Sequence, residues 1–181
     1  NRLILRKEID LSKKKNISKI KKKIRKNDII IFIAAKAPVK NFKMFEENIY
    51  ILNNLCEALL KKKISKIIYV SSDAVFSDSK KRINEKPLKN PDSLHGLMHI
   101  YRERILGFYF KNLSVIRPTL IYGNNDSHNG YGPNMFIRLA QSNKNIKLFG
   151  KGEEIRDHVN ISDVVKVLIK LIKKDYFTDF N

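Results

Sequence analysis

The sequence holds one cysteine, Cys56, among its 181 residues, which excludes a disulfide framework within the chain. It has no run of about 18 apolar residues, so it predicts no membrane-spanning helix. Its first residues lack the charged and then apolar order of a secretory signal peptide. Internal repeats and low-complexity linkers are also absent. These absences lead us to expect a cytoplasmic protein in which Cys56 is a small core residue.

Acidic residues are scarce, with 18 Asp and Glu against 37 Lys and Arg, and the net charge is +19. The lysines form triplets at 13–15, 21–23 and 61–63, and aromatic residues are not interleaved with them as a base-stacking surface would require. We therefore expect a solvated, Lys-rich surface rather than a nucleic-acid site, and a field that favours small anionic ligands. A basic RNA-associated protein is the third interpretation, behind the two given below.

Apolar runs alternate with helical patterns along the chain, and 43% of its residues are hydrophobic, enough for a core. Alternating strands and helices predict βαβ units, a parallel sheet and right-handed crossovers. Strands are predicted at 28–35, 66–72, 113–118 and 146–150; helices are predicted at 17–26, 44–63, 134–142 and 161–174 and in the stretch that holds His95 and His99.

Small and hydroxyl side chains lie at the predicted strand ends, where ligands bind in a parallel sheet. Ala34 and Ala35 would let a flat ring approach the backbone closely, although tight helix packing explains them equally well. Ser71 and Ser72 would place hydroxyl groups beside a substrate oxygen, or they are simple end-of-strand caps.

Two histidines, His95 and His99, lie four residues apart in "NPDSLHGLMHIYRERIL" and therefore on one face of a helix. They are interpreted as an acid/base pair, a metal site or two packed rings. A metal site needs a third ligand, and "HGLMH" lacks the glutamate of a zinc-protease helix. Because His128 and His158 fall on other elements, we predict no metal.

Six motifs follow one another along the chain: "DIIIFIAA", "EEN", "YVSSDAVF", the predicted helix with His95 and His99, "IRPTLIYG" and "KLFGKGEEIRDHVNISDV". In that order they resemble the extended short-chain dehydrogenase/reductase family of NAD-dependent sugar-nucleotide epimerases and dehydratases, from about Asp10 to Val165. The resemblance implies an α/β fold, a Rossmann-like doubly wound parallel sheet. It also implies NAD or NADP as cofactor and a nucleotide-linked sugar as substrate.

Carried over residue by residue, the resemblance implies a cofactor site, a catalytic site and a substrate site. Asp10 meets the adenine ring, Ala34 and Ala35 form the turn facing the dinucleotide, Asn48 lies near the cofactor, and Pro118 flanks the nicotinamide. Ser72 holds the catalytic hydroxyl position. Asn134 and Arg156 hold the substrate diphosphate, for which a planar guanidinium is well suited; a salt bridge between Arg156 and Asp157 is the alternative.

The Gly-rich strand, turn and helix that hold a pyrophosphate are missing from the chain. Residues 1–12, "NRLILRKEIDLS", read instead as the region of the third strand. We therefore expect residues 1–181 to be one partial Rossmann-like NAD(P)-binding domain that lacks the first βαβ segment, with 124–160 starting the substrate-binding lobe. Such a chain would leave one sheet edge unpaired.

The Tyr-x-x-x-Lys pair of the family is replaced here by His95 and His99. In the family, the lysine lowers the pKa of the tyrosine and holds the ribose hydroxyls. An imidazole of pKa ~6.5 needs no such help. Our hypothesis is that His95 acts as the base, Ser72 orients the substrate hydroxyl and His99 bonds the ribose. The alternative is a non-catalytic dinucleotide- or sugar-nucleotide-binding member, because imidazole is shorter than phenol and neutral His99 lacks the charge of lysine.

The predicted helices at 41–62 and 92–111 carry more apolar residues than one side of a sheet requires. The resemblance implies that they pair across a two-fold axis as a four-helix bundle, giving a homodimer. Packing against the sheet alone is the alternative.

Overall fold

The computed structural model describes residues 7–77, 89–123, 132–148, 150–153, 155–173 and 179–180. The helices are α1 Ile17–Lys23, α2 Phe42–Leu59, α3 Leu94–Tyr109, α4 Pro133–Gln141 and α5 Ile161–Lys173, with 3-10 turns at Lys14–Asn16 and Asp73–Val75. The strands are β1 Ile29–Phe32, β2 Lys66–Val70, β3 Leu113–Ile116, β4 Leu120–Tyr122, β5 His158–Asn160 and β6 Asp179–Phe180. The chain divides into a first unit, residues 1–117 with 175–181, and a second unit, residues 118–174.

The first unit contains a parallel sheet in the order β1-β2-β3-β6. Ile30 pairs with Ile67 between β1 and β2, and Tyr69 pairs with Val115 between β2 and β3. The apolar run of β2 is buried from Ile67 to Tyr69, as a strand covered on both faces must be. The prediction of a parallel α/β sheet is therefore confirmed.

Helices α1 and α2 pack against each other and supply more than half of the buried residues of the core cluster. The Asn41 side chain accepts a hydrogen bond from the Met44 amide at 3.0 Å and so begins α2. The core cluster joins Leu52, Leu55, Ala58 and Leu59 of α2 to Ile67 and Tyr69 of β2 and Leu106 of α3. Because β1, β2 and β3 are parallel, their carboxyl ends lie along one edge of the sheet.

The second unit contains the two-stranded parallel sheet of β4 and β5, in which Leu120 pairs with His158. Helix α4 follows Gly132, whose φ of 83° favours glycine, and begins with Pro133, which has no amide hydrogen to leave unsatisfied. The Asn160 side chain accepts a hydrogen bond from the Ser162 amide at 2.9 Å, where α5 begins.

Two strand predictions are corrected by the structure. Residues 146–148 form no strand, and β4 pairs with β5 instead. Whether so short a segment forms a strand depends more on a partner strand beside it than on its own propensity. Of the predicted strand region at 1–12, residues 1–6 lie outside the described residues. Residues 7–12 form turns instead, with the Asp10 carboxylate accepting bonds from the Ser12 amide at 3.0 Å and hydroxyl at 2.7 Å.

The remaining helix and strand predictions agree with the structure except at their ends. Helix α1 ends at Lys23, three residues before the predicted boundary at 26, and β1 ends at Phe32, before Ala34 and Ala35. Across the described ranges, no helix is long and apolar enough to cross a membrane.

Candidate active site

The first turn of α3 lies directly on the 3-10 turn Asp73–Val75. Ser93 caps the helix, since its hydroxyl oxygen accepts a bond from the Gly96 amide at 3.1 Å. A Cβ atom placed on Gly96 would lie 1.8 Å from the Ala74 carbonyl oxygen and 2.7 Å from the Cβ of Pro91. Only glycine permits this approach, and it lies between the two histidines of the helix.

The structure brings His95 and His99 together, as the helical spacing predicts. Their ring centroids are 4.7 Å apart, with an interplanar angle of 86°, so one ring edge meets the other ring's face. The Nδ1 atom of His95 is buried and has no hydrogen-bond partner among the described residues. Burial lowers the pKa of His95, with Asp73 opposing the shift and Arg102 adding to it. His95 is therefore neutral at neutral pH.

His99 makes a hydrogen bond that sequence reasoning missed, with the hydroxyl of Tyr69 lying 2.6 Å from its Nδ1. Tyr69 is fully buried in β2, and 5% of His99 is exposed. Burial lowers the pKa of His99 to about 3, and electrostatic interactions with His95 and Arg102 add to this shift. Burial also raises the pKa of Tyr69 above its ordinary value, with Arg102 opposing the shift. Both groups are consequently neutral near pH ~7.

Arg102 is a second residue that sequence reasoning missed, although His95, His99 and Arg102 follow the i, i+4, i+7 spacing of one helical face. Its guanidinium is fully buried and stacks 5.0 Å above the Phe32 ring. Nη1 donates to the Ala34 carbonyl at 2.9 Å, and Nη2 donates to the backbone and side-chain oxygens of Asn48, both at 2.8 Å. A fixed positive charge therefore lies under the histidine pair.

Asn48 holds the turn that follows β1. Its side-chain oxygen accepts from the Lys36 amide at 3.0 Å, and its nitrogen donates to the carbonyls of Lys36 at 3.0 Å and Met44 at 2.8 Å. Asn48 is fully buried, whereas Ala34 and Ala35 are exposed. The predicted cofactor-facing turn thus presents two small side chains to solvent, and the buried Asn48 side chain holds its backbone through hydrogen bonds to Lys36.

Ser72 lies at the end of β2 and caps the 3-10 turn. Its hydroxyl accepts a bond from the Ala74 amide at 3.2 Å and donates one to the Asp73 carboxylate at 3.0 Å. Asp73 is also the group whose charge raises the pKa of His95. The predicted catalytic hydroxyl and the predicted base are thus linked through one acidic side chain.

Ser71, the other strand-end serine, belongs to a buried ionic network. Its hydroxyl donates to Glu103 at 2.7 Å, and Arg117 holds the same carboxylate through two bonds at 2.9 and 3.0 Å. Lys89 adds a third cationic contact at 3.1 Å. Burial favours a raised pKa for Glu103, but bonds from Arg117 and Ser71 outweigh it and hold the pKa below its ordinary value. This network fixes the loop that carries Ser72.

The other predicted residues have separate surroundings. Pro118, Asn134 and Arg156 belong to the second unit, where the Asn134 side chain is 9% exposed and donates to the Gly123 carbonyl at 2.7 Å. Arg156 is exposed. Asp10, in the first unit, binds Ser12 in a local turn. The described part of the chain contains no group of three or more His, Cys, Asp or Glu that could hold a metal ion.

The sequence is similar to those of known sugar-nucleotide enzymes. It is 29% identical over 174 residues to dTDP-D-glucose 4,6-dehydratase of Dictyostelium discoideum, a match covering 82% of this chain and 39% of that protein. The human dTDP-D-glucose 4,6-dehydratase is 28% identical over 163 residues, covering 82% of this chain and 45% of that protein. The chain therefore spans less than half the length of these two relatives.

The fold is similar to those of solved epimerase structures. UDP-glucose 4-epimerase of Thermotoga maritima with UDP-glucose superposes with a TM-score of 0.82 at 21% identity, covering 96% of this chain and 60% of that one. UDP-glucuronic acid 4-epimerase of Bacillus cereus in complex with UDP-glucuronic acid and NAD gives 0.80 at 23% identity, covering 96% and 57%. These likenesses confirm the Rossmann-like fold.

The family comparison covers nearly the whole chain. Residues 3–181 match the NAD dependent epimerase/dehydratase family. The family name gives NAD as the cofactor, in agreement with the resemblance drawn from the order of the sequence motifs. The chain belongs to the NAD dependent epimerase/dehydratase family.

Proposed function

We propose that this chain forms the NAD-binding part of an enzyme that acts on a nucleotide-linked sugar, with His95 as its base. The observation that carries the proposal is the place of His95 in the fold: it is half-buried on α3, in edge-to-face contact with His99, and α3 packs on the 3-10 turn that Ser72 caps. The relatives act on dTDP- and UDP-linked sugars, which supports this class of substrate.

The turn at the carboxyl end of β1 fits a dinucleotide. Ala34 and Ala35 are exposed and small, so a flat ring can approach their backbone, and the Ala34 carbonyl is directed inward to Arg102. We assign cofactor binding to this turn, with Asn48 supporting it and Asp10 meeting the adenine. Either NAD or NADP suits these residues.

His95 takes the proton of a substrate hydroxyl in this proposal. Its lowered pKa keeps the ring neutral, so one ring nitrogen has a lone pair that can accept a proton without an assisting cation. Ser72 orients the same hydroxyl from the end of β2. A bound dinucleotide would supply the acceptor for the hydride that leaves the carbon bearing this hydroxyl. His99 donates to a ribose hydroxyl of the cofactor.

The substrate diphosphate is assigned to the second unit. Arg156 is exposed there, and its guanidinium can bind phosphate oxygens through two parallel bonds. Asn134 is largely buried and already bonded to Gly123, so its contribution is to shape the start of α4 as much as to bind phosphate.

A non-catalytic, dinucleotide- or sugar-nucleotide-binding member of the family is the second candidate. It is favoured by the hydroxyl of Ser72, which is already engaged by Asp73 and the Ala74 amide. It is also favoured by the replacement of a tyrosine and lysine with two shorter, neutral rings.

Cofactor binding and sugar-nucleotide turnover separate the two candidates. Calorimetry with NAD and NADP should be done on the purified protein, on His95→Gln, and on the double variant His95→Tyr with His99→Lys. Turnover that is lost in His95→Gln and falls at acidic pH, as an imidazole base becomes protonated, supports the first candidate. The second candidate is supported if the parent binds a dinucleotide without turning over a sugar nucleotide and the double variant does turn it over. Failure to bind either dinucleotide contradicts both.

We also propose a homodimer formed through α2 and α3. Four of the five exposed large apolar residues of α3 follow helical spacing along one face, namely Leu94, Leu97, Tyr101 and Phe108, and α2 exposes Phe42 and Tyr50. Single exposed apolar residues are common on protein surfaces, whereas several that share one helical face are typical of a protein–protein contact. Sedimentation should give a dimer for the parent and a monomer for Leu97→Glu; a monomeric parent would contradict the assignment.

A further inference from the structure

Tyr69 lies in the middle of the sheet, yet its hydroxyl contacts the histidine pair. The residue is fully buried, and its oxygen lies 2.6 Å from Nδ1 of His99. A contact this short is a strong hydrogen bond, and heavy-atom positions alone leave open which group carries the proton. The direction of the bond decides which nitrogen of His99 is protonated.

Arg102 decides that direction. Its guanidinium is fixed by bonds to Ala34 and Asn48, and its positive charge acts on Tyr69. A guanidinium has donors only, so it cannot receive the phenol proton. The Tyr69 proton is consequently directed away from Arg102, and His99 Nδ1 is its acceptor.

The opposite arrangement is unfavourable. If His99 Nδ1 donated to Tyr69, the phenol proton would lie in the protein interior without an acceptor among the described residues. An unsatisfied buried donor loses the hydration it had in the unfolded chain. Burial, with smaller contributions from His95 and Arg102, also disfavours a second proton on His99, so the cationic ring is excluded at neutral pH.

We propose that Tyr69 is a positioning residue that holds His99 in the neutral form with its proton on Nε2. This inference deepens the proposed function and rests on it for the identity of the ligand. His99 then offers one directed N–H donor to an oxygen of the bound cofactor, in the place where the family has a lysine. With Nδ1 bonded and Nε2 protonated, neutral His99 has no free lone pair for a proton from His95. The proton taken from the substrate therefore stays on His95 until it passes to solvent or back to the ligand.

The protonation state of His99 can be read directly by NMR of ring-labelled histidine in the purified protein at neutral pH. The His99 signals are assigned by their loss in His99→Gln. We expect an unprotonated Nδ1 and a protonated Nε2. In Tyr69→Phe, which keeps the ring and removes the hydroxyl, the proton should redistribute between the two nitrogens. Tyr109→Phe, an exposed tyrosine at the end of the same helix, is the matched control and should leave the His99 signals unchanged.

The outcomes separate this inference from the proposed function. A wild-type His99 protonated on Nδ1, or on both nitrogens, overturns the inference without any variant being needed. An unchanged His99 form in folded Tyr69→Phe overturns the role of Tyr69. Added NAD should shift the Nε2–H signal. Binding of NAD that leaves this signal in place overturns the donor role, whereas absence of NAD binding with the expected proton position contradicts the proposed function alone.

Discussion

The two described glycines of α3, Gly96 and Gly107, make a paired test of how the histidine helix is placed. A Cβ on Gly96 would lie 1.8 Å from the Ala74 carbonyl oxygen, whereas a Cβ on Gly107 meets only the Cδ2 of Leu113 at 3.9 Å. The first neighbour is backbone and cannot rotate away, and the second is an ordinary contact. The same substitution, glycine to alanine, should therefore have opposite effects at the two positions.

The magnitudes follow from two terms. Alanine favours a helix over glycine by about 1 kcal/mol, and this gain applies to both variants. In Gly96→Ala, the start of α3 must also move away from the 3-10 turn until the new Cβ lies at least 3.0 Å, instead of 1.8 Å, from the Ala74 carbonyl oxygen. Because this moves backbone, we assign it the upper end of the cost of overpacking, about 3 kcal/mol. We expect Gly96→Ala to lose about 2 kcal/mol and Gly107→Ala to gain about 1 kcal/mol.

Urea unfolding followed by circular dichroism measures both changes. With a slope of about 2 kcal/mol per molar urea, the midpoint should fall by about 1 M in Gly96→Ala and rise by about 0.5 M in Gly107→Ala. Gly96→Ala should also change the NMR signals of His95 and His99. The reasoning is refuted if Gly96→Ala is as stable as the parent, or if the two variants shift the midpoint in the same direction.

Three further predictions concern pH and reactivity. The pKa of His99 is lowered from 6.5 to about 3 in the folded protein, so between these pH values the unfolded chain binds more protons than the folded one. As the pH falls from 6.5, the free energy of unfolding should therefore decrease by up to about 1.4 kcal/mol per pH unit. Urea midpoints should show a flatter fall in His99→Gln, and equal slopes would contradict this account. Glu103→Gln should cost about 3 kcal/mol at neutral pH. Because the pKa of Glu103 is lowered in the folded protein, the full cost is present above pH 4.5, the ordinary pKa of this side chain, and it shrinks as the pH falls below 4.5. A difference in stability between parent and variant that does not change with pH would argue against the network. Burial raises the pKa of Cys56 to about 11, so a disulfide reagent should label it in urea but not in the folded protein, and rapid native labelling would contradict its burial.

The fold of the first unit could be predicted because its elements are long and strongly patterned. The continuous apolar runs of β1 and β2 and the helical spacing of α2 and α3 each favour one structure. The strands β4, β5 and β6 have two or three residues each and were missed or misplaced. Such short strands depend on a partner elsewhere in the chain, which local pattern does not reveal.

The site was predicted in part. Helical spacing brought His95 and His99 together, and strand ends located the two serines and the two alanines. Arg102 and Tyr69 were missed because a charged residue in a helix and an aromatic residue in a strand have ordinary explanations on the surface and in the core. Their roles depend on three-dimensional contacts with Ala34, Asn48 and His99 that no local pattern encodes. The assignments of the individual site residues stay predictions.

The cap made by Ser72 has a consequence for how this site would discriminate between ligands. A hydroxyl that already donates to Asp73 and accepts from the Ala74 amide must exchange a partner in order to meet a substrate oxygen. The number of hydrogen bonds is then conserved, so the binding enthalpy from this contact is small. What the exchange can provide is selection by direction, because only a ligand whose oxygen lies along the existing bond vectors can replace a partner without strain. Ser72 would therefore distinguish ligands by the orientation of one hydroxyl group more than by the strength with which it holds them.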